Sequence, residues 1–213
     1  QMTSAIRSQS AHGIILRANS YFSNMGIPCA ASPIATRAGR EPLQAYTPHG
    51  YDLVVDTEAL AMASNARVDV IFDAHRKTQI ALNAPVVVGE WGAFGDSPDI
   101  LDHDEHLLGL FERYQWSDTY WCYQPGTAQA PVMQVLRRSY PRAIAGVLLD
   151  YANDRQANSL TVRWREPGGI EAPTVVYLHA APREITVAGE YELKGSSLRI
   201  PPIGGERTLT VRF

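Results

Sequence analysis

The stretch Ala84–Gly95, with the sequence APVVVGEWGAFG, constrains the fold more than any other part of the chain. Pro85 breaks the preceding element, and an unbroken run of three valines follows it. A β-branched run without polar alternation is typical of a strand buried on both faces, as in a parallel sheet covered by helices. The run ends at Glu90. Such folds carry their chemistry at the carboxyl ends of strands, which makes Glu90 a candidate catalytic carboxylate. The alternative is that Glu90 caps the following helix.

The chain before residue 146 repeats a strand and a following helical or irregular segment four times, in units of the length that a βαβ repeat needs. The predicted strands are His12–Leu16, Leu43–Pro48, Val86–Gly89 and Asp118–Tyr123. The predicted helices are Thr3–Ser10, Asp56–Ala66, Val68–Leu82, Asp102–Tyr114 and Pro131–Tyr140.

From residue 146 onward the pattern changes to short alternating segments separated by turns. The segment Ser159–Arg165, SLTVRWR, alternates cleanly, which indicates an antiparallel sheet with one solvated face. The other predicted strands are Val147–Tyr151, Thr174–His179, Glu184–Ala188, Ser197–Ile200 and Thr208–Phe213. We therefore predict a small antiparallel β-sandwich over residues 146–213, after an α/β domain over residues 1–145.

Four strand–helix units cannot close a barrel of eight strands, because an open half leaves two sheet edges unpaired. The predicted fold class is therefore α/β: the C-terminal half of a (β/α)8 TIM barrel, strands five to eight, followed by the sandwich. We expect the N-terminal half-barrel either earlier in the same precursor or on a separate chain.

Composition excludes several functional classes. The net charge of −3 gives no electrostatic case for a nucleic-acid partner. No apolar stretch approaches the roughly 20 residues of a membrane-spanning helix, so no transmembrane segment is expected. Residues 1–10 lack the apolar core of a signal peptide. No phosphate-binding loop or serine-based triad motif occurs, and we expect no cofactor. The acidic and histidine-rich residues 99–106 fit a solvated helix N-terminus better than a metal site.

Three motifs in combination resemble glycoside hydrolase family 5, and in particular its endoglycoceramidase-like members. They are TPHGYD at residues 47–52, GEWGAFG at residues 89–95 and TYWCY at residues 119–123. The segments YFSNMGIP at 21–28 and SYPRAIAG at 139–146 extend the resemblance to nearly the whole chain. The second of these resembles the passage from the barrel into a C-terminal sandwich. We expect a secreted or extracellular protein.

The resemblance implies a role for each matching residue. Glu90 is the expected nucleophile, Tyr51 orients it, His49 contacts the sugar at the cleavage site, and Trp121 forms the floor on which that sugar stacks. Further candidate substrate contacts at the strand ends are Asn19, Tyr21, Asp52 and Gln124. The simpler alternatives are a rim aromatic for Tyr51, a structural histidine for His49 and core packing for Trp121. At the end of the first strand, where related enzymes often carry Glu-Pro, this chain has Arg-Ala-Asn at residues 17–19.

A retaining glycosidase needs two carboxyl groups about 5–5.5 Å apart, one as nucleophile and one as acid/base. In the family the acid/base lies in an Asn-Glu-Pro motif, which this sequence lacks. We therefore expect a retaining β-glycosidase for β-glucosides, with glycolipids such as glycosylceramides among the candidate substrates, whose acid/base lies on the N-terminal half-barrel. Alone, the chain is expected to be inactive or nearly so. The alternative is a non-catalytic carbohydrate-binding or assembly module, or an inactive fragment.

Two groups of apolar residues bear on the lipid hypothesis. An apolar groove for a lipid aglycone is expected from Phe22, Met25, Ile27 and Phe94. Contact of the sandwich with membrane or glycan is a further possibility, through Trp164, Tyr177 and Tyr191, although the first two are expected in the core.

Overall fold

The computed structural model describes residues 2–55, 57–93, 97 and 100–213. The chain forms two compact units, Gln1–Val132 and Met133–Phe213. None of the described helices is both long enough and apolar enough to cross a bilayer.

The first unit combines helices with short, mostly parallel strands. Its helices are α1 (Met2–Gln9), α2 (Asn65–Leu82) and α3 (Leu101–Tyr114). Its strands are β1 (Ile15–Ala18), β2 (Ala35–Thr36), β3 (Gly39–Arg40), β4 (Gln44–Thr47), β5 (His49–Gly50), β6 (Val87–Gly92) and β7 (Ser117–Trp121). Single 3-10 turns lie at Tyr21–Met25, Leu60–Met62 and Thr127–Gln129.

The parallel strands of the first unit follow one another in space in chain order. Strand β1 pairs with β4, and β5, β6 and β7 form a three-stranded sheet. A parallel bridge between Tyr46 and Val86 connects the two groups. Parallel neighbours in chain order are the arrangement predicted from successive strand–helix units, because each crossover returns the chain to the same end of the sheet.

Helix α2 covers this sheet. The Ser64 side chain accepts a hydrogen bond from the Arg67 backbone N–H at 3.4 Å and caps the helix, which starts three residues before the predicted Val68. The predicted helix over Asp56–Ala66 is wrong for most of its described part, where a short turn at Leu60–Met62 is helical and the last two residues already belong to α2. Alanine-rich composition favours a helix, but Ser64 adopts the extended geometry of a cap, and a helix cannot continue through it.

Helix α3 packs its apolar face onto the same core. Phe111 meets Phe72 of α2 and Trp91 of β6 edge to face, with ring centroids 5.1 and 5.3 Å apart. The prediction of a solvated N-terminus for α3 is wrong for His103 and Asp104, which are buried. They lie on or beside the face that contacts the core, so helical periodicity forces them inward with their apolar neighbours.

The second unit is an antiparallel sandwich, as predicted. It contains α4 (Met133–Leu136) and β8 (Tyr140–Ala143), β9 (Val147–Asp154), β10 (Ser159–Glu166), β11 (Thr174–Tyr177), β12 (Glu184–Val187), β13 (Glu192–Lys194), β14 (Ser197–Ile200) and β15 (Gly205–Arg212). One sheet has the order β12-β15-β10-β9 and the other β13-β14-β11-β8. The core includes Leu160, Val162, Trp164, Val176, Leu178, Leu198, Ile200, Leu209 and Val211.

The start of the sandwich differs from the sequence prediction. The predicted helix Pro131–Tyr140 is reduced to the four residues of α4. Ser139 is buried and exchanges hydrogen bonds with the Asn153 side chain at 3.3 and 2.9 Å, which turns the chain into β8. Strand β8 pairs with β11, so the second unit begins before residue 146. Trp164 lies in the core as predicted, whereas Tyr177 is half-buried, with its ring centroid 5.1 Å from that of Tyr140.

Candidate active site

Glu90 emerges from β6 because the pairing of β6 with β7 is irregular. In a regular strand, Val88 and Glu90 would share one face. The register shifts between Val88 and Trp91, and both of these residues are completely buried, while the Glu90 side chain is 32% exposed. Such a register irregularity changes the direction of a single side chain without disturbing the packing of its neighbours. It therefore directs the carboxylate of Glu90 out of the core.

Two side chains from the end of β5 contact this carboxylate. The Tyr51 hydroxyl donates a hydrogen bond to Glu90 Oε2 at 2.9 Å, and His49 Nδ1 lies 3.4 Å from the same oxygen. Parallel pairing places His49 directly beside Glu90 in the sheet. The other oxygen, Oε1, has no hydrogen-bond partner among the residues that the structure describes. Among the described contacts, two side chains thus hold one oxygen of the carboxylate and leave the other without a partner.

The carboxylate faces a pocket of about 490 Å³. Trp121, at the end of β7, lines this pocket with its side chain 49% exposed, and it also lines a neighbouring pocket of about 690 Å³ that includes Gln124. The residues that line the Glu90 pocket are Tyr21, Asn24, Met25, His49, Tyr51, Asp52, Leu53, Val55, Glu90, Ala93 and Trp121. An exposed indole beside a carboxylate suits the apolar face of a sugar ring.

Asp52 is the second carboxylate among the described lining residues, but its oxygens are already engaged. It is buried and accepts hydrogen bonds from the backbone N–H groups of Val54 (3.0 Å) and Ser64 (2.9 Å). The Arg67 guanidinium donates two more, at 3.1 and 2.8 Å. Burial alone would raise the pKa of Asp52, but these hydrogen bonds hold it below its usual value. Asp52 thus anchors the loop after β5, and its role as a substrate contact stays a prediction.

Family matches agree with this geometry. Residues 1–127 match the cellulase family, glycosyl hydrolase family 5. The chain belongs to glycoside hydrolase family 5. Residues 138–211 match the C-terminal domain of the same family. Among curated proteins, nothing matches the chain significantly.

Solved structures place the chain near the endoglycoceramidase-like part of family 5, as the motifs predicted. Endo-glycoceramidase II from Rhodococcus sp., in its ganglioside GM3 complex, has a TM-score of 0.79 at 25% identity, over 99% of this chain and 51% of that one. Its complex with a five-membered iminocyclitol gives 0.78 at 27%, over 99% and 52%. Sterylglucosidase 1 from Cryptococcus neoformans shares the fold, at TM-score 0.76 and 14% identity, over 98% and 43%. The chain spans about half the length of endo-glycoceramidase II.

Most residues predicted from the family 5 motifs meet at one pocket. Glu90, Tyr51, His49, Trp121 and Tyr21 all line it. Gln124 lines the neighbouring pocket instead. Asn19 follows β1 half-buried and is in neither set of lining residues, and its Nδ2 is buried without a hydrogen-bond partner.

The predicted apolar groove is only partly assembled at this pocket. Met25 lines it, whereas Phe22 and Ile27 are exposed outside its lining. Phe94 lies outside the described residues. In the sandwich, Tyr191 is exposed.

Sequence reasoning missed four lining residues: Asn24, Leu53, Val55 and Ala93. Leu53 and Val55 follow closely on the TPHGYD motif. Their closeness in sequence to a predicted site motif was the signal that could have identified them. Ala93 adopts a positive φ of 61° and donates its N–H to the Trp121 carbonyl at 2.8 Å, which joins the ends of β6 and β7. No local sequence pattern predicts that hydrogen bond.

No group of three metal-ligating side chains occurs among the described residues. His103 Nδ1 lies 2.7 Å from Asn65 Oδ1, and His106 Nε2 lies 2.7 Å from Asp69 Oδ1. Asp99 lies outside the described residues.

Gly89→Ala is expected to disturb the site by displacing His49. A Cβ at this position would lie 2.7 Å from Thr47 Oγ1 and 2.8 Å from His49 Nε2, so both side chains must move. We expect a loss of about 1–3 kcal/mol of unfolding free energy, measured by urea denaturation. The control is Gly109→Ala, at an exposed position of α3 with open space around the new Cβ, which should gain up to about 1 kcal/mol. Equal stability of wild type and Gly89→Ala would contradict the steric argument.

Proposed function

We propose that this chain supplies the nucleophile of a retaining β-glycosidase. The observation that carries the proposal is the hydrogen bond of 2.9 Å from Tyr51 to Glu90, with His49 on the same oxygen and Trp121 across the pocket. Glu90 Oε1 attacks the anomeric carbon, the bond to the leaving oxygen breaks, and its electron pair stays on that oxygen. Tyr51 and His49 hold Oε2, which orients the attacking oxygen.

The acid/base is proposed to lie on an N-terminal half-barrel, in the same precursor or on another chain. Among the described residues that line the pocket, Asp52 is the carboxylate other than Glu90, and its ion pair with Arg67 at 2.8 Å leaves it no proton to donate. The chain also lacks the Asn-Glu-Pro motif. A second half would supply the general acid.

The same half-barrel would complete the sheet. Strands β1, β4 with β5, β6 and β7 would be strands five to eight of a (β/α)8 barrel. Within the described sheets, β1 and β7 each pair on one side only. Ile14 and Leu16, at the β1 edge, expose apolar side chains. Unpaired edges and exposed apolar residues are what an added (β/α)4 partner would cover.

The proposed substrates are β-glucosides, with glycolipids among them. Solved forms of endo-glycoceramidase II include a ganglioside GM3 complex and a lactosyl-enzyme intermediate. In this chain, Tyr21, Met25 and Leu53 add exposed apolar surface to the Glu90 pocket. If the assembled enzyme cleaves soluble cellooligosaccharides but leaves glucosylceramide intact, the lipid part of the proposal is wrong.

The test uses a substrate that needs no acid catalyst. The 2,4-dinitrophenolate group leaves without a proton, so 2,4-dinitrophenyl 2-deoxy-2-fluoro-β-glucoside glycosylates a competent nucleophile directly, and the fluorine slows hydrolysis of the ester. We expect the intact mass to rise by one fluoroglucosyl group, located on the peptide that contains Glu90. Calorimetric binding of cellobiose without any labelling, alone or with the N-terminal half, would favour a non-catalytic binding module.

A further inference from the structure

The orientation of Glu90 depends on a very short segment of chain. Its two polar contacts among the described residues, from His49 and Tyr51, come from β5 and the residue after it. Strand β5 has two residues and pairs with β6 only through His49 and Gly50. Pro48, which precedes it, has no N–H to donate to a sheet. Because β5 forms few hydrogen bonds within the sheet, contacts from another element must fix its position.

Helix α2 provides those contacts. His75 Nε2 lies 3.0 Å from the His49 carbonyl oxygen, and the His75 side chain is only 1% exposed. One turn earlier in α2, the Phe72 ring packs on Gly50 so closely that a Cβ there would lie 2.4 Å from the ring. The helix therefore meets β5 at two successive residues, directly below the side chains that hold Glu90.

The hydrogen bonds define the protonation state of His75. A carbonyl oxygen only accepts, so Nε2 must carry the proton that it shares with His49. Nδ1 is then an acceptor, and it lies 2.9 Å from the Tyr46 hydroxyl, which donates to it. Burial lowers the pKa of His75 to about 4, so the ring stays neutral and keeps this tautomer near neutral pH.

We propose that His75 is a positioning residue for the nucleophile, acting through the His49 carbonyl to hold His49 and Tyr51 against Glu90. The inference rests on the proposed function. His75 touches no reacting atom. Its effect arises because a displacement of β5 by a fraction of an ångström would loosen both contacts to Glu90 Oε2 at once.

Three variants separate positioning from simple stability. His75→Leu removes the donor and keeps an apolar side chain of similar bulk. His75→Gln places an amide N–H near the position of Nε2 and should restore the bond. Tyr46→Phe removes the outer hydrogen bond of the ring, together with the contact of the hydroxyl with Thr78, and costs stability without freeing the His49 carbonyl.

The first readout is the rate of fluoroglucosyl labelling of Glu90. We expect His75→Leu to be slower by roughly 10- to 100-fold, and His75→Gln and Tyr46→Phe to stay within about threefold of wild type. Labelling of His75→Leu at the wild-type rate would overturn the proposal. So would an equal loss in Tyr46→Phe, because core stability alone would then explain the effect.

The second readout does not depend on catalysis. In wild type, Glu90→Gln should change the ring ¹⁵N shifts of His49, because the two side chains touch, and the His75→Leu background should abolish this response. If wild type is not labelled but this response behaves as expected, the proposed function fails and the positioning role stands. If His75→Leu does not fold, the wild-type ¹⁵N spectrum decides: a proton on Nδ1, or a charged His75 ring at pH 6, overturns the proposal.

Discussion

Glu90→Gln is expected to abolish the reaction of this chain with 2,4-dinitrophenyl β-glucoside, a loss of roughly 10⁴-fold or more in the rate of dinitrophenolate release. The glutamine amide has nearly the same shape and can still accept the hydrogen bond from Tyr51, but it cannot form the glycosyl ester. The matched control is Glu58→Gln at an exposed carboxylate, which should react like wild type. Retention of substantial activity in Glu90→Gln would show that another group performs the displacement.

The fate of the glycosyl ester tests the missing acid/base in the same experiment. Without a general base, water attacks the ester slowly and the glycosylated chain accumulates. Azide is an anion that needs no deprotonation, so it should attack the anomeric carbon, break the bond to Glu90 and release β-glucosyl azide. We expect azide to accelerate turnover by wild type but to have no effect on Glu90→Gln. Turnover of unactivated glucosides by the chain alone, unaffected by azide, would contradict the placement of the acid/base elsewhere.

The sequence predicts best where a strong periodicity coincides with burial. The valine run locates β6 and Glu90, the apolar spacing locates α2 and α3, and the alternation of SLTVRWR locates β10. Each of these signals is local, because a helix or strand with one buried face has apolar residues that recur with the period of that element.

The features that sequence reasoning missed depend on partners distant in the chain. Strand β13 is an exception, because its three residues are all exposed and give no alternation to detect. The role of Asp52 follows from Arg67, fifteen residues away, and that of His75 from the His49 carbonyl. The sequence shows the same aspartate whether its carboxylate faces a sugar or an arginine. Only the fold distinguishes these two roles.

Asp104→Asn is expected to remove a large pH dependence of stability from the first unit. Asp104 in α3 is 0% exposed, and neither of its carboxylate oxygens has a hydrogen-bond partner in the structure. Burial raises its pKa from 3.8 to about 7. The folded chain then binds a proton that the unfolded chain releases, so the contribution to stability is fully present below the ordinary pKa and is lost as the pH rises to the folded value.

The size of the effect follows from the pKa difference. Each unit is worth about 1.4 kcal/mol, so wild type should lose roughly 4 kcal/mol of unfolding free energy between about pH 4 and pH 7 through this group alone, with no further loss above that range. Asparagine stays neutral, so Asp104→Asn should lack this slope. The exposed control Asp73→Asn should retain it.

Two measurements check the expectation. Hydrogen exchange of the slowest α3 amides reports unfolding of the first unit separately from the sandwich, and the ¹³C shift of the Asp104 carboxyl reports its titration directly. A midpoint near the ordinary value, or an unchanged slope in Asp104→Asn, would show that a polar partner or water reaches this carboxyl in solution. A midpoint near 7 would mean that α3, which packs on β6 through Phe111 and Trp91, accommodates this buried carboxyl group at lowest cost in its neutral form. The structural support of Glu90 would then weaken as the pH rises toward 7, before any catalytic group is considered.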